Sequence, residues 1–311
     1  MLRFPRFFLL LLTVTGGTAC AEPLKVASLS TVLTDIAKNV GGERVEITQI
    51  VKPGVDPHIY EPTAGDIRQI SGSRIVLASG LGFEGYLEKL ETRVGKGPEF
   101  VVAGDVIKPI YVNEEDAHDD AGDGHDHGHH HQGPVANGKL ADPHWWHSVK
   151  NAEAVTFRIR DAFIAADPAG REVYEAGAKA YNQKLENLSR WIRLQLARLP
   201  KNKRILVTSH DALGYFADDH GFEVRPVQGI STADQPSSIK VRQLIKDING
   251  EGVRAIFAEN IENPKVLQQI TKETGARLGG VLYADGLGTG GAGTYEGMMR
   301  HNVTTIVTAL Q

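Results

Sequence analysis

Short apolar runs alternate with segments of helical period along most of the chain. The runs PLKVASLS, RVEITQIV, RIVLAS and EFVVAG in the first half, and RILVTS, EVRPV, RAIFAE and RLGGVLY in the second, are typical of buried strands. Between them lie segments such as TVLTDIAKNVGG and SSIKVRQLIKDINGEG, whose apolar residues recur at three- and four-residue steps and predict helices. This β-α-β alternation predicts an α/β fold of two lobes, in each of which helices flank a mainly parallel sheet.

A long amphipathic segment, residues 167–200, separates the two halves, and its interior lacks proline. Its apolar residues recur at helical steps and are Val173, Tyr174, Tyr181, Leu185, Leu188, Ile192 and Leu196. A single rigid helix of about 30 residues would span roughly 45 Å here. It would join an N-terminal lobe, residues 22–166, to a C-terminal lobe, residues 201–311. Two helices broken near Gly177 are the alternative, because glycine weakens the interior of a helix.

The first 21 residues have the order of segments that is typical of a secretory signal peptide. Arg3 and Arg6 precede the apolar run FFLLLLTVT, and small residues follow in GGTACAE. The apolar run is too short to span a bilayer as a helix, so we expect cleavage after Ala21 and export of the protein. Lipid anchoring at Cys20 is the alternative, because TAC fits the end of a lipobox.

Composition adds one unusual feature, which is the distribution of histidine. The chain has ordinary globular proportions and a formal charge of −4, which gives no reason to expect a nucleic-acid partner. Six of its twelve histidines lie between His118 and His131, inside the polar segment of residues 114–138. That segment cannot bury enough apolar surface to offset its ordering entropy, so we expect a disordered or mobile loop.

Four polar residues outside this segment occupy positions that suit a ligand site. His58 and His144 each follow an Asp-Pro pair, His210 ends the run RILVTS, and Asp285 follows GGVLY. Ligands of open α/β sheets bind at the carboxyl ends of strands, where three of these four residues are expected. Three imidazoles and one carboxylate can close a tetrahedron around Zn²⁺. The wide spacings are not those of a local zinc finger, so a structural role for each histidine remains open.

The motifs VKPGVDPHIYEPT, DPHWWHSVKNA, VTSHDALGYFADDHG and LYADGLG, with the long central helix, resemble the solute-binding proteins of zinc and manganese ABC transporters, the cluster A-I family. The resemblance extends from about residue 23 to the C-terminus. It implies two α/β lobes joined by one rigid helix, with the metal held in the interlobe cleft by His58, His144, His210 and Asp285. Histidine at position 210, where manganese-type members usually have glutamate, is the zinc-type pattern, and nitrogen-rich sites suit zinc.

The second motif departs from the family pattern, because HWWHS stands where a leucine or isoleucine and a single tryptophan are usual. His147 in place of His144 is therefore an alternative ligand. The resemblance further implies a periplasmic protein, expected to be a monomer, that delivers Zn²⁺ to an ABC permease in the inner membrane. The histidine-rich insertion is typical of zinc-type members, and we expect it to collect zinc or to take it from a donor protein. A manganese-binding homologue is the alternative.

Two competing functions have some support in the sequence. A zinc-dependent metallohydrolase would need an open coordination position and a general base such as Glu61, whereas a fourth ligand would fill that position. A dinucleotide site is suggested by Gly286, Gly288 and Gly291, which match GxGxxG after a strand. A true fingerprint opens a βαβ unit, but only one helix is predicted after this loop. We therefore expect a binding protein rather than an enzyme.

Overall fold

The computed structural model describes residues 22–113, 133–234, 236–261 and 265–311. The predicted signal peptide and the six histidines of the polar segment lie outside these ranges. The strands are β1 Leu24–Ser28, β2 Val45–Gln49, β3 Ile75–Ala78, β4 Glu99–Val102, β5 Tyr111–Asn113, β6 Val135–Ala136, β7 Lys139–Ala141, β8 Ile205–Thr208, β9 Glu223–Pro226, β10 Ala255–Glu259 and β11 Arg277–Leu282. The helices are α1 Thr31–Gly41, α2 Ala64–Ser71, α3 Leu87–Val94, α4 Val149–Ala166, α5 Arg171–Leu196, α6 Gly214–His220, α7 Ser238–Glu251, α8 Lys265–Thr274 and α9 Tyr295–Leu310.

Two four-stranded parallel sheets form the centres of the two lobes. Their strand orders are β2-β1-β3-β4 and β11-β10-β8-β9, and every neighbouring pair is parallel. All residues of the central strands β3 and β10 are buried, because helices cover both faces of such a sheet. The predicted two-lobe α/β architecture is confirmed. The chain reverses direction across each sheet between β1 and β3 and between β8 and β10, which are the places where ligands bind in this class.

A small antiparallel sheet of order β5-β7-β6 was not predicted. It corrects the expectation that the whole of residues 114–138 is disordered, because Val135–Ala136 pairs with β7. Asn137 and Gly138 connect these two strands with φ angles of 55° and 71°. Positive φ at both residues of a two-residue loop is the geometry that an Asn-Gly pair favours in a hairpin. The polar segment therefore returns to the fold through an ordered turn.

Helix α5 is continuous through Gly177 and is 26 residues long, so it spans about 39 Å. It is shorter than the predicted 167–200, because a 3-10 turn at Pro168–Gly170 precedes it. Its buried stripe follows the predicted steps with one exception, since Val173 is 46% exposed. A Cβ at Gly177 would lie 2.2 Å from the carbonyl oxygen of Val40, so this glycine permits the close approach of α5 and the end of α1.

Helix α5 packs against α1 and α4 of the first lobe and against α9 of the second. Its start is fixed by Asp167, whose two carboxylate oxygens accept hydrogen bonds of 2.7 and 3.0 Å from Arg44 and one of 2.7 Å from the hydroxyl of Tyr174. The Arg44 hydrogen bond is the main cause that lowers the pKa of Asp167 to about 2. In the described ranges, no helix combines the length and apolar character needed to cross a membrane.

Candidate metal centre

His58 lies in the loop between β2 and α2, and its loop is held by Asp56. The Asp56 carboxylate accepts the backbone N–H of His58 at 3.0 Å through Oδ1. Its Oδ2 accepts the hydroxyl of Thr232, at 2.8 Å, from the second lobe. The His58 ring packs edge-on against Phe83, with ring centroids 4.9 Å apart. These contacts leave the His58 side chain only 6% exposed, with Nε2 directed at the other ligands.

His144 lies just before α4 and is fully buried. Asp142, two residues earlier, accepts the backbone N–H of His144 at 2.9 Å and contacts ring Nδ1 at 2.8 Å with the same oxygen. The tautomer that satisfies an ionised carboxylate carries its proton on Nδ1 and leaves the lone pair on Nε2. The Asp-Pro-His sequence therefore orients this imidazole for coordination.

His210 follows β8, and its ring is held by Glu259 at the end of the neighbouring strand β10. The backbone N–H of His210 donates to Glu259 Oε1 at 3.1 Å, and ring Nδ1 faces Oε2. Both side chains are buried. The two strands lie on either side of the reversal point of the second sheet, so the fold itself brings this pair together.

Asp285 follows β11 and completes the cluster. Its Oδ1 lies 3.2 Å from Nε2 of His144, 3.2 Å from Nε2 of His210 and 3.4 Å from Nε2 of His58. The Nε2 atoms of His58 and His144 are 3.3 Å apart, and all four ligand atoms lie within 4.8 Å of one another. Zinc bonds of about 2.0–2.1 Å in a tetrahedron place ligand atoms about 3.3 Å apart. Four of the six distances between these atoms are thus close to those of a tetrahedral site, and small shifts of the side chains would close the set around one ion.

The charge distribution at the cluster favours a cation. Burial would raise the pKa of Asp285, but the surrounding imidazoles outweigh burial and hold this pKa well below its usual range. Burial lowers the pKa of His58. In His144 and His210 burial acts in the same direction, but hydrogen bonds and charges from neighbouring carboxylates outweigh it and raise both pKa values. Among the described residues, the second carboxylate oxygen of Asp285, Oδ2, is buried and has no hydrogen-bond partner.

His147 does not belong to this cluster. Its Nε2 lies 2.8 Å from the carbonyl oxygen of Ala284, and burial, assisted by the nearby His144, lowers its pKa to about 3. The ring is therefore neutral and donates its Nε2 proton to a backbone carbonyl. Within the described part of the chain, the cluster of possible metal ligands contains His144 and not His147.

The residues proposed for competing functions are not part of the cluster. Glu61 is exposed and contributes no atom to the cluster. A Cβ at Gly286 would lie 2.6 Å from Thr31 Oγ1, and one at Gly288 would lie 2.3 Å from the ring of Tyr283. Both glycines are thus explained by close packing. Among the described residues, β11 lies at the edge of its sheet, and α9, which follows this loop, leads to no further strand of that sheet.

Sequence reasoning missed the three carboxylates that hold the histidines. Asp56 and Asp142 stand inside the two Asp-Pro-His motifs, which were the available signal for them. Glu259 ends the run RAIFAE, and its position at the carboxyl end of a strand was the available signal. A carboxylate that receives the second ring nitrogen is the usual companion of a metal-binding histidine.

The chain is similar to known metal-binding proteins. The family model for the periplasmic component A of zinc-uptake complexes (ZnuA) matches residues 26–309. The iron-binding protein YfeA of Yersinia pestis is 33% identical over 288 residues, which cover 92% of this chain and 86% of that protein. The manganese-binding lipoprotein MntA of Bacillus subtilis is 31% identical over 306 residues, which cover 96% and 94%.

A solved structure extends the similarity to the fold. The periplasmic zinc-binding protein TroA of Treponema pallidum superposes with a TM-score of 0.81 at 28% identity, covering 93% of this chain and 99% of that one. The family and these relatives are solute-binding proteins rather than enzymes, which confirms the expectation of a binding protein. The metals in their names differ, being iron, manganese and zinc.

Proposed function

Because the chain belongs to the zinc-uptake component A family of metal-binding proteins that serve ABC transporters, we propose that it captures Zn²⁺ and delivers it to the permease of an importer. The observation that carries this proposal is the cluster of His58, His144, His210 and Asp285, whose four ligand atoms lie within 4.8 Å of one another. The ion is the cargo of the protein, so these residues must both hold it and release it.

The donor set favours zinc over manganese. Three imidazole nitrogens and one carboxylate oxygen suit a borderline ion, whereas manganese prefers a set richer in oxygen. The relatives named for iron and manganese make the metal the point to test. Asp142 and Glu259 add to the preference, because a carboxylate on Nδ1 makes the coordinating Nε2 a better donor.

The arrangement also suggests how release occurs. His58 and His144 belong to the first lobe, and His210 and Asp285 belong to the second. Any separation of the lobes divides the four ligands into two pairs, and a two-histidine site holds zinc far less well than a closed tetrahedron. We therefore expect docking on the permease to open this cleft and lower the affinity for the ion.

The remaining predictions concern the cellular setting. Residues 1–21 are proposed to direct export to the periplasm, with lipid anchoring at Cys20 as the alternative. The protein is expected to act as a monomer, and a periplasmic donor protein is a second expected partner. The histidine-rich segment, residues 118–131, is proposed to collect zinc and pass it to the cleft. Excising it should slow zinc loading and leave one tight site.

Metal uptake by cells tests the proposed function directly. Cells that lack this gene should lose most of their high-affinity uptake of radioactive zinc and keep their uptake of manganese. The intact gene should restore zinc uptake, and a gene with His58, His144 and His210 replaced by alanine should not. Loss of manganese uptake with normal zinc uptake would show that the protein is a manganese-binding homologue instead.

A further inference from the structure

The carbonyl group of Ala284 immediately precedes Asp285 and accepts two hydrogen bonds from the other lobe. The indole Nε1–H of Trp146 donates to it at 2.7 Å, and the imidazole Nε2–H of His147 donates at 2.8 Å. Both donors lie in the 3-10 turn Trp145–His147 that follows His144. Two metal-ligand segments from different lobes are thus joined without the ion. We call the two donors and their acceptor the Ala284 clamp.

The Ala284 clamp uses the full capacity of its acceptor, because a carbonyl oxygen has two lone pairs. Trp146 and His147 are buried, so water does not compete for these bonds. A third contact lies just beyond Asp285, where the backbone N–H of Leu287 donates to Thr31 Oγ1 at 2.8 Å. The peptide on either side of the ligand is therefore bonded to the first lobe.

Fixing this peptide fixes the direction in which the Asp285 side chain leaves the backbone. An ion that meets a carboxylate already in place pays less entropy for ordering the site than one that must organise a mobile loop. The same hydrogen bonds oppose release, because the loop of Asp285 cannot leave the first lobe until they break. Gly286 gives the backbone beside Asp285 more conformational freedom than another residue would. The Ala284 clamp counteracts this backbone freedom.

We propose that His147 and Trp146 are positioning residues for metal binding, which act through the Ala284 carbonyl to hold Asp285 in its coordinating position and to slow release of the ion. The proposal rests on the proposed function, since it needs the four-residue cluster to bind Zn²⁺. It gives His147 a role in retention of the ion although its ring does not coordinate.

The test compares variants of the full-length metal-binding protein by the rate at which a chelator removes bound zinc. His147→Leu fills the same space without a donor and should release zinc roughly 10-fold faster, the lower end of the effect of an outer-shell partner. His147→Gln, whose amide reaches the position of Nε2, should restore most of the wild-type rate. The bound-Co²⁺ absorption spectrum should change in His147→Leu and return in His147→Gln.

Two tryptophans provide a matched control. Trp145 and Trp146 are both fully buried, but among the described residues the indole N–H of Trp145 has no hydrogen-bond partner. Trp146→Phe should accelerate release of zinc, and Trp145→Phe should change the rate less than about twofold, since both lose the same volume. This pair decides the question if His147→Leu does not fold, as judged by circular dichroism.

The outcomes separate the two proposals. Release at the wild-type rate in both His147→Leu and Trp146→Phe, with normal zinc binding by the wild type, would refute the Ala284 clamp and leave the proposed function intact. Equal acceleration in Trp145→Phe and Trp146→Phe would also refute the clamp, because lost packing would explain it. A wild-type protein that fails to retain zinc at all would refute both.

Discussion

Glu259 contacts His210 at two points, accepting its backbone N–H at 3.1 Å and facing ring Nδ1 with the second carboxylate oxygen. One buried side chain thus fixes both the position of the loop and the orientation of the imidazole. Asp142 does the same for His144 with a single oxygen. Two ligands from different lobes are therefore held in the same way, by a carboxylate that is not itself a ligand.

Replacing Glu259 with glutamine should weaken zinc binding by roughly 10-fold, because the amide keeps an acceptor but loses the charge that strengthens the Nε2 lone pair. Competition with a chromophoric chelator measures this change. Glu88→Gln, which removes an exposed carboxylate on α3, is the control. Equal affinities of the two variants would mean that Glu259 has only a structural role.

Replacing Asp285 with alanine should leave a three-histidine site and weaken zinc binding by more than about 100-fold, beyond the effect of an outer-shell partner. Isothermal titration with a competing chelator gives the affinity. The matched control is Asp218→Ala, which removes an exposed carboxylate from α6 of the same lobe. If Asp285→Ala binds zinc as tightly as Asp218→Ala does, Asp285 is not a ligand.

Gly177→Ala should destabilise the protein by about 1–3 kcal/mol, because its Cβ would lie 2.2 Å from the Val40 carbonyl oxygen and force α5 and α1 apart. In an open helix position the same substitution is favourable by up to about 1 kcal/mol. Gly250→Ala on α7 is such a position, since nothing lies within 4 Å of its Cβ. Chemical denaturation of both variants should therefore give shifts of opposite sign, and stabilisation by Gly177→Ala would contradict the close packing.

Asp167→Asn should lower the free energy of unfolding at neutral pH. It should also make the free energy of unfolding less dependent on pH in the acidic range. The pKa of Asp167 is lowered to about 2, below its usual value, so its ionised form stabilises the fold above pH 4, and this contribution is lost as the pH falls toward 2. The effect should stay within about 1 kcal/mol because the pair with Arg44 is partly exposed to solvent. Urea unfolding at pH 7, 4 and 2.5 should show the difference between wild type and variant shrinking. A difference that is constant over this range would exclude the ionic contribution.

The sequence predicts the parts of this molecule that depend on repeated local patterns. The buried strands and the central helix follow from runs and periods of apolar residues, and the positions of His210 and Asp285 follow from where those strands end. The Asn137-Gly138 pair is also a local signal, since it favours a hairpin. It was overlooked because it lies in a polar segment that was expected to be disordered. The prediction that Val173 is buried was wrong, because a period of 3.6 residues fixes the edge of a buried stripe only to within one position.

Other features depend on contacts between residues far apart in the chain, and no local pattern reveals them. The pairing of Glu259 with His210 requires two neighbouring strands whose order the sequence does not give. The role of His147 depends on the carbonyl of Ala284, which lies 137 positions away. The sequence alone allows a helix break at Gly177, because the proximity of Val40 depends on how the helices pack.

The central claim is that the four cleft residues, and not the histidine-rich segment, form the tight metal site. Its most direct test is the zinc content of protein purified after dialysis against a moderate chelator, compared between wild type and a variant with His58, His144 and His210 replaced by alanine. We expect about one zinc per wild-type molecule and almost none in the variant, whose histidine-rich segment is intact. A variant that retains one zinc per molecule would contradict the assignment.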